Sequence, residues 1–231
     1  MRLFLGVLIG LVLAIAVAAG AGYIAFGDIA NLGERDKSAD VSMTYDVSGF
    51  DRISVGGVYE LDVRVGGDFS VAVSGAPEEM ARIEIVVEDG VLRLGQEERR
   101  RGERPRWRNR GLTVKIAMPA LNELRVSGVA DADVAGVDAE AFSARLSGVG
   151  EIDIAGTCRF LSARVSGVGE LDAEELRCAE VDVSISGVGE ARVYGSESVD
   201  ARVSGIGAIS IYGSPSDVHK DKSLLANINV K

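Results

Sequence analysis

Histidine occurs once in this chain, at His219, and cysteine twice, at Cys158 and Cys178. A Ser-His-Asp arrangement therefore has no sensible base, since the one imidazole sits in a polar stretch near the end of the sequence. Aromatic residues make up only 5% of the chain, against 29 glycines, which argues against a helical globule and for many turns and small strand residues. Basic charge is also short, at 25 Lys and Arg against 35 Asp and Glu, for a formal net charge of −10. Phosphate binding needs a basic face, so nucleic acid is excluded as the default partner. No glycine-rich loop precedes a helix, so a phosphate cradle of the nucleotide-binding kind is missing too.

What is present begins with a charge-free run from Leu3 to Phe26, preceded by Arg2 and followed by Asp28. A signal h-region is about 7–15 residues and a bilayer span about 20. Residues 3–26 are thus long enough for a hydrophobic helix that is either a cleaved signal, with Ala19-Gly20-Ala21 as the small-residue site, or an uncleaved membrane anchor. Both fates export the rest of the chain. The expected organisation is residues 1–27 as signal or anchor, 28–44 as a polar linker, 45–213 as the folded domain and 214–231 as a tail capping its last coil.

From Tyr45 onward short alternating runs dominate, such as YELDVRV, FSVAVSG and LTVKIAM, with Asp89-Gly90 as a tight-turn signal and PEEMAR, from Pro77, as the one plausible helical turn. Residues 97–111, EERRRGERPRWRNRG, interrupt this with seven arginines and the only tryptophan. They have no apolar period and read as a loop.

One phrase recurs: RVSGVADADVAG, RLSGVGEIDIAG, RVSGVGELDAEE, SISGVGEARVYG and RVSGIGAISIYG. Its serines are Ser127, Ser147, Ser166, Ser186 and Ser204, spaced 20, 19, 20 and 18 apart. A period near 20 marks a solenoid. One residue before each serine stand Val126, Leu146, Val165, Ile185 and Val203, and five after stand Ala132, Ile152, Leu171, Ala191 and Ile209. Apolar residues also hold the positions three before and seven after. Two strands, each with one buried face, flank the phrase. Two residues after the serine come Val129, Val149, Val168, Val188 and Ile206. These too read as buried, so parity changes inside the phrase and the chain turns there, with Gly128, Gly148, Gly167, Gly187 and Gly205 at the corner. A single copy cannot bury its columns; stacked copies can. The pattern predicts an all-β, single-stranded parallel β-helix of about 18–20 residues per coil.

The cysteines fall in register, each eight residues before its serine, with Ala139 and Ser196 in the same column. Rungs about 4.8 Å apart lie within disulfide range, so an exported domain is expected to carry a Cys158–Cys178 bridge, the alternative being two buried thiols.

The order GFDRISVGGVYELDVRVGG (residues 49–67), IEIVVEDGVLRL, VKIAMPALNELRVSG, the SGVG repeats and VYGSESVDARVSGIGAISIYGSP resembles the putative auto-transporter adhesin, head GIN domain family of bacterial exported domains, over roughly residues 46–215. The resemblance implies a right-handed parallel β-helix of the cell envelope and offers no catalytic residues. The arginine-rich insertion departs from it.

Three site candidates follow. Asp131, Glu151, Glu170 and Glu190, with Asp133, Asp153 and Asp172 beside them, form acidic ladders whose repulsion calls for cations, water or arginines. They read as a solvated, mutually compensated face, or as carboxylates of Asp133, Asp153 and Asp172 holding Ca²⁺ between coils. The GGxGxDxUx repeat of calcium β-rolls is absent. Arg99, Arg100, Arg101, Arg104, Arg106, Arg108 and Arg110, with Trp107, could engage anionic lipid or lipopolysaccharide, unless Glu97, Glu98 and Glu103 simply balance a solvated loop. The open ends of a β-helix invite end-to-end self-association. The expected function is therefore non-enzymatic, without cofactor: binding of an envelope glycan, lipid or protein surface, or a structural role, in a secreted or membrane-anchored protein. The alternative is a carbohydrate-active β-helix that binds or cleaves an envelope or extracellular polysaccharide with its carboxylates.

Overall fold

The computed structural model describes residues 40–97 and 111–231. The hydrophobic segment 3–26 and the arginines of the insertion lie outside these residues. Among the described residues no helix is long and apolar enough to cross a membrane.

The chain folds as an all-β solenoid. Its heart is four long strands, β9 (Val129–Leu146), β10 (Val149–Val165), β11 (Val168–Ile185) and β12 (Val188–Val203), each one coil, paired in parallel in that order. Like residues stack on like: Ile152 on Leu171 and on Ala132, Val165 on Ile185 and on Leu146. The core is these ladders, with Leu146, Ile152, Leu171, Val183 and Val193 fully buried. Burial of small aliphatics on every rung is the driving force, and no single rung could achieve it alone.

Two further coils precede these and had not been legible as copies of the phrase. β2 (Arg52–Gly56) and β3 (Val58–Val65) pair with β8 (Glu123–Val126) and β9, Ser54 lying on Arg125 and Val58 on Val129. The words ISVGGVYELDV thus form a repeat in which Gly56 replaces the serine and Tyr59 the second glycine. Tyr59 can stand there because its buried hydroxyl donates to the Gly95 carbonyl at 2.6 Å. The coil before it is split between β6 (Val91–Gln96), stacked on β2, and β7 (Leu112–Met118), stacked on β3. Glu97 and Gly111, which flank the arginine-rich insertion in the sequence, stand at the vertex where the later coils carry the SG phrase.

The first described elements are antiparallel. β1 (Val41–Tyr45), four of whose five residues fall in the stretch expected to be linker, pairs with β4 (Ser70–Gly75), and β4 pairs with β7. Helix α1 is a single turn, Pro77–Met80, with proline in its first turn, where no backbone N–H is needed. β5 (Ile83–Glu88) and β6 form a hairpin turned by Asp89 and Gly90, both at positive φ (52° and 74°) as a primed turn requires. After β13 (Ile206–Tyr212) the expected tail supplies two more parallel rungs, β14 (Asp217–Lys222) on β12 and β15 (Ala226–Val230) on β13.

One expectation fails. The column Val129, Val149, Val168, Val188 and Ile206 is not buried; each member is 47–52% exposed. Inward parity runs unbroken through the phrase, from Leu146 through Gly148 and Gly150 to Ile152. The glycines occupy the inward positions, and the aliphatic between them points out. The reason is crowding between rungs: a Cβ on Gly148 would stand 1.8 Å from the Gly128 carbonyl oxygen, and one on Gly167 1.9 Å from that of Gly148. At the first inward position of the phrase only glycine fits between the coils.

Candidate functional site

The outward columns divide at this bend. On the strand after it run the aliphatic ladder, then Glu60, Asp131, Glu151, Glu170 and Glu190, then Asp62, Asp133, Asp153 and Asp172. On the strand before it run Ser127, Ser147, Ser166 and Ser186, and beside them Arg125, Arg145 and Arg164, interrupted by Ser184 and resumed by Arg202.

The acidic ladder is compensated at its ends and open at its centre. Arg64 donates to Asp133 at 3.1 Å, and Arg192 to Asp172 at 2.9 Å. Arg192 also contacts Glu170 and lies 3.5 Å from Glu190. Its hydrogen bond to Asp172, ahead of these charges, pushes the guanidinium pKa further up. Asp131, Glu151 and Asp153 enter no ion pair among the described residues. Partial burial first, and then the like charges of Glu151, Asp172, Asp133 and Glu170, push the Asp153 carboxyl above its ordinary range.

The ladder is not perfectly regular. The register of β11 slips between Asp172 and Leu176 against β10 and between Ala173 and Arg177 against β12, and Glu174 and Glu175 lie within both slips. The Glu174 amide donates to Asp172 at 3.0 Å, fixing the bulge. It walls a depression of about 540 Å³ lined by Asp133, Asp153, Asp172, Glu174, Glu175 and Arg177. The three aspartates predicted as candidates are thus brought together, but no group of three or more side chains among the described residues is placed to hold a metal ion. Arg177 itself lies over the ring of Tyr194, 4.5 Å from its centre.

Cys158 and Cys178 stand opposite one another in the β10–β11 register and are joined as a disulfide, with Cα atoms 4.5 Å apart. Ala139 holds the same column on β9, but on β12 it is Gly195, not Ser196, because that coil is shorter. Arg99, Arg100, Arg101, Arg104, Arg106, Trp107, Arg108 and Arg110 lie outside the described residues; only their anchorage at the corner is defined. Two features had no reading in the sequence: the exposed aliphatic ladder and the Arg–Ser groove. The second was visible as columns of like residues at the repeat spacing, but columns alone do not reveal a groove.

Comparison with known proteins agrees with this architecture. No curated protein sequence matches the chain. Among solved structures, a putative adhesin from Bacteroides fragilis superposes with a TM-score of 0.69 at 24% identity, covering 83% of this chain and 97% of its own, and so shares the fold. A putative adhesin from Parabacteroides distasonis matches at 15% identity with a TM-score of 0.49, covering 82% of this chain and 97% of its own. The family model described as "Putative auto-transporter adhesin, head GIN domain" matches residues 49–215, and the chain belongs to that family.

Proposed function

We propose that the protein is a non-enzymatic surface-binding module of the cell envelope, exported by its N-terminal hydrophobic segment and working through flat ladders instead of a pocket. The carrying observation is the stripe of five half-exposed aliphatics, Val129 to Ile206, running between a serine–arginine face and an acidic face. Stripes of this kind on a soluble surface favour an adhesive role. The family's adhesin description supports the same reading. Of the three aspartates the glycan-cleaving alternative would use, Asp133 and Asp172 are engaged by Arg64 and Arg192, which leaves Asp153 alone of the three.

The test is a glycan, lipid and protein array probed with the full chain and with a variant lacking residues 97–110. Retention on at least one class of envelope surface is expected. Retention on none would refute the binding reading. Unchanged retention of the deletion variant on anionic vesicles would refute a lipid-binding role for the arginine-rich insertion.

A further inference from the structure

The face before the bend carries a groove of about 500 Å³ lined by arginine and serine. Its walls are Arg125, Arg145 and Arg164 on three successive rungs, and Ser127, Ser147 and Ser166 stand beside them, one hydroxyl per rung. The arginine side chains are 52%, 45% and 45% exposed, so their guanidiniums face solvent. Their counter-charges are shared. Glu123 serves both Arg125, at 2.7 Å, and Arg145, at 3.7 Å. Asp182 serves both Arg164 and Arg202, at 3.3 and 3.2 Å. Each carboxylate therefore leaves guanidinium donors unused. The serines are oriented for the complementary task. The Ser127 and Ser147 hydroxyls donate to the Val55 and Val126 carbonyls at 3.0 and 3.3 Å, which turns their oxygen lone pairs outward as acceptors.

We propose that this groove binds an acidic polysaccharide, a chain of uronate-type sugars lying along the solenoid axis. The inference rests on the surface-binding reading above and specifies its ligand. Rungs repeat about every 4.8 Å, close to the rise of one pyranose in an extended chain. Each rung offers a guanidinium, which pairs with a carboxylate in two parallel hydrogen bonds, and a serine oxygen, which accepts from a sugar hydroxyl. A neutral glycan would leave the arginines unmatched. The acidic columns lie around the bend, and their repulsion is screened beyond about 8 Å at physiological salt.

The experiment is titration of the full chain with polygalacturonate and with its methyl ester, which keeps the shape and removes the charge. Binding to the acid form is expected, weakening with salt and at least tenfold weaker for the ester. R145Q/R164Q, with folding checked by its melting curve, is expected to lose at least tenfold. E123Q is expected to bind severalfold tighter, because it frees Arg125 and Arg145; a merely unfolded variant would not gain affinity. E151Q/E170Q, on the other side of the bend, should bind at least as well as the parent chain. Equal affinity for the ester, no effect of R145Q/R164Q, or no gain in E123Q would overturn the proposal. Retention on array surfaces other than acidic glycans, without polygalacturonate binding, would overturn this inference alone and leave the surface-binding reading standing.

Discussion

Replacing Gly167 by alanine tests the account of the bend most directly. The added Cβ would lie 1.9 Å from the Gly148 carbonyl oxygen, against an ordinary contact of at least 3.4 Å, so the two rungs must part by about 1.5 Å locally. That displacement breaks the bonds that close the corner, Val168 N–H to Gly148 O at 3.0 Å and Ser166 N–H to Leu146 O at 2.8 Å. Two backbone hydrogen bonds at about 1 kcal/mol each, plus about 1–3 kcal/mol for overpacking, give a destabilisation of about 3–5 kcal/mol. For a unit of this size the melting temperature should fall by about 6–20 °C. The neighbouring Val168→Ala is the internal control. Val168 is 52% exposed, so it should lose less than about 1 kcal/mol and stay within about 4 °C of the parent. The readout is thermal melting followed by circular dichroism. If G167A melts within the margin of V168A, the crowding argument is wrong. If V168A falls as far as G167A, the exposed-ladder assignment is wrong.

Three other outcomes are expected. Removing the disulfide with C158A/C178A opens a loop of 20 residues and should cost about 3 kcal/mol, read as a lower melting temperature that reductant no longer changes; two free thiols in natively purified protein would contradict the bridge. R192Q leaves Glu170, Asp172 and Glu190 without their shared cation and should destabilise by about 1 kcal/mol at low ionic strength, fading as salt is added; an effect insensitive to salt would point to lost packing instead. For Asp153 the folded-state pKa lies above the unfolded value, so its ionised form opposes folding at neutral pH and the opposition is relieved as pH falls through the folded pKa. D153N should therefore melt higher than the parent at neutral pH, and the difference should shrink on acidification; a lower melting point at neutral pH would reverse the sign and defeat the argument.

The repeat made the solenoid readable because its buried columns recur on every rung: Leu146, Val165 and Ile185 are apolar in the sequence and stack in the structure. The valine after the glycine reads as buried because hydrophobicity is the signal for burial in a sequence. In this corner the inward positions are held by glycines, which carry no hydrophobic signal, and the choice between the two parities depends on how closely two backbones approach. The early coils are hard to read in the sequence for a related reason. At Gly56 and Tyr59 the characteristic letters are replaced, and only the spacing of Val55, Val58, Leu61 and Val63 survives. The acidic columns were legible, but the depression beside them was not, since the bulge at Glu174 and Glu175 shows only against the register of its neighbours. The Arg–Ser groove likewise arises from stacking, which sets residues about 20 apart in sequence side by side.

The split coil has a wider consequence. Fifteen residues separate Gln96 from Leu112 in the sequence, yet β6 and β7 on either side keep full register with β2 and β3. The rungs are therefore indifferent to what is spliced between them at this vertex, because closing a longer loop adds little entropy once both strands are held. The bend is a port for guest sequence. Foreign peptides grafted at the equivalent vertices of later coils would be displayed in a row along one edge, one coil apart, so that a single scaffold could present several recognition segments at fixed spacing.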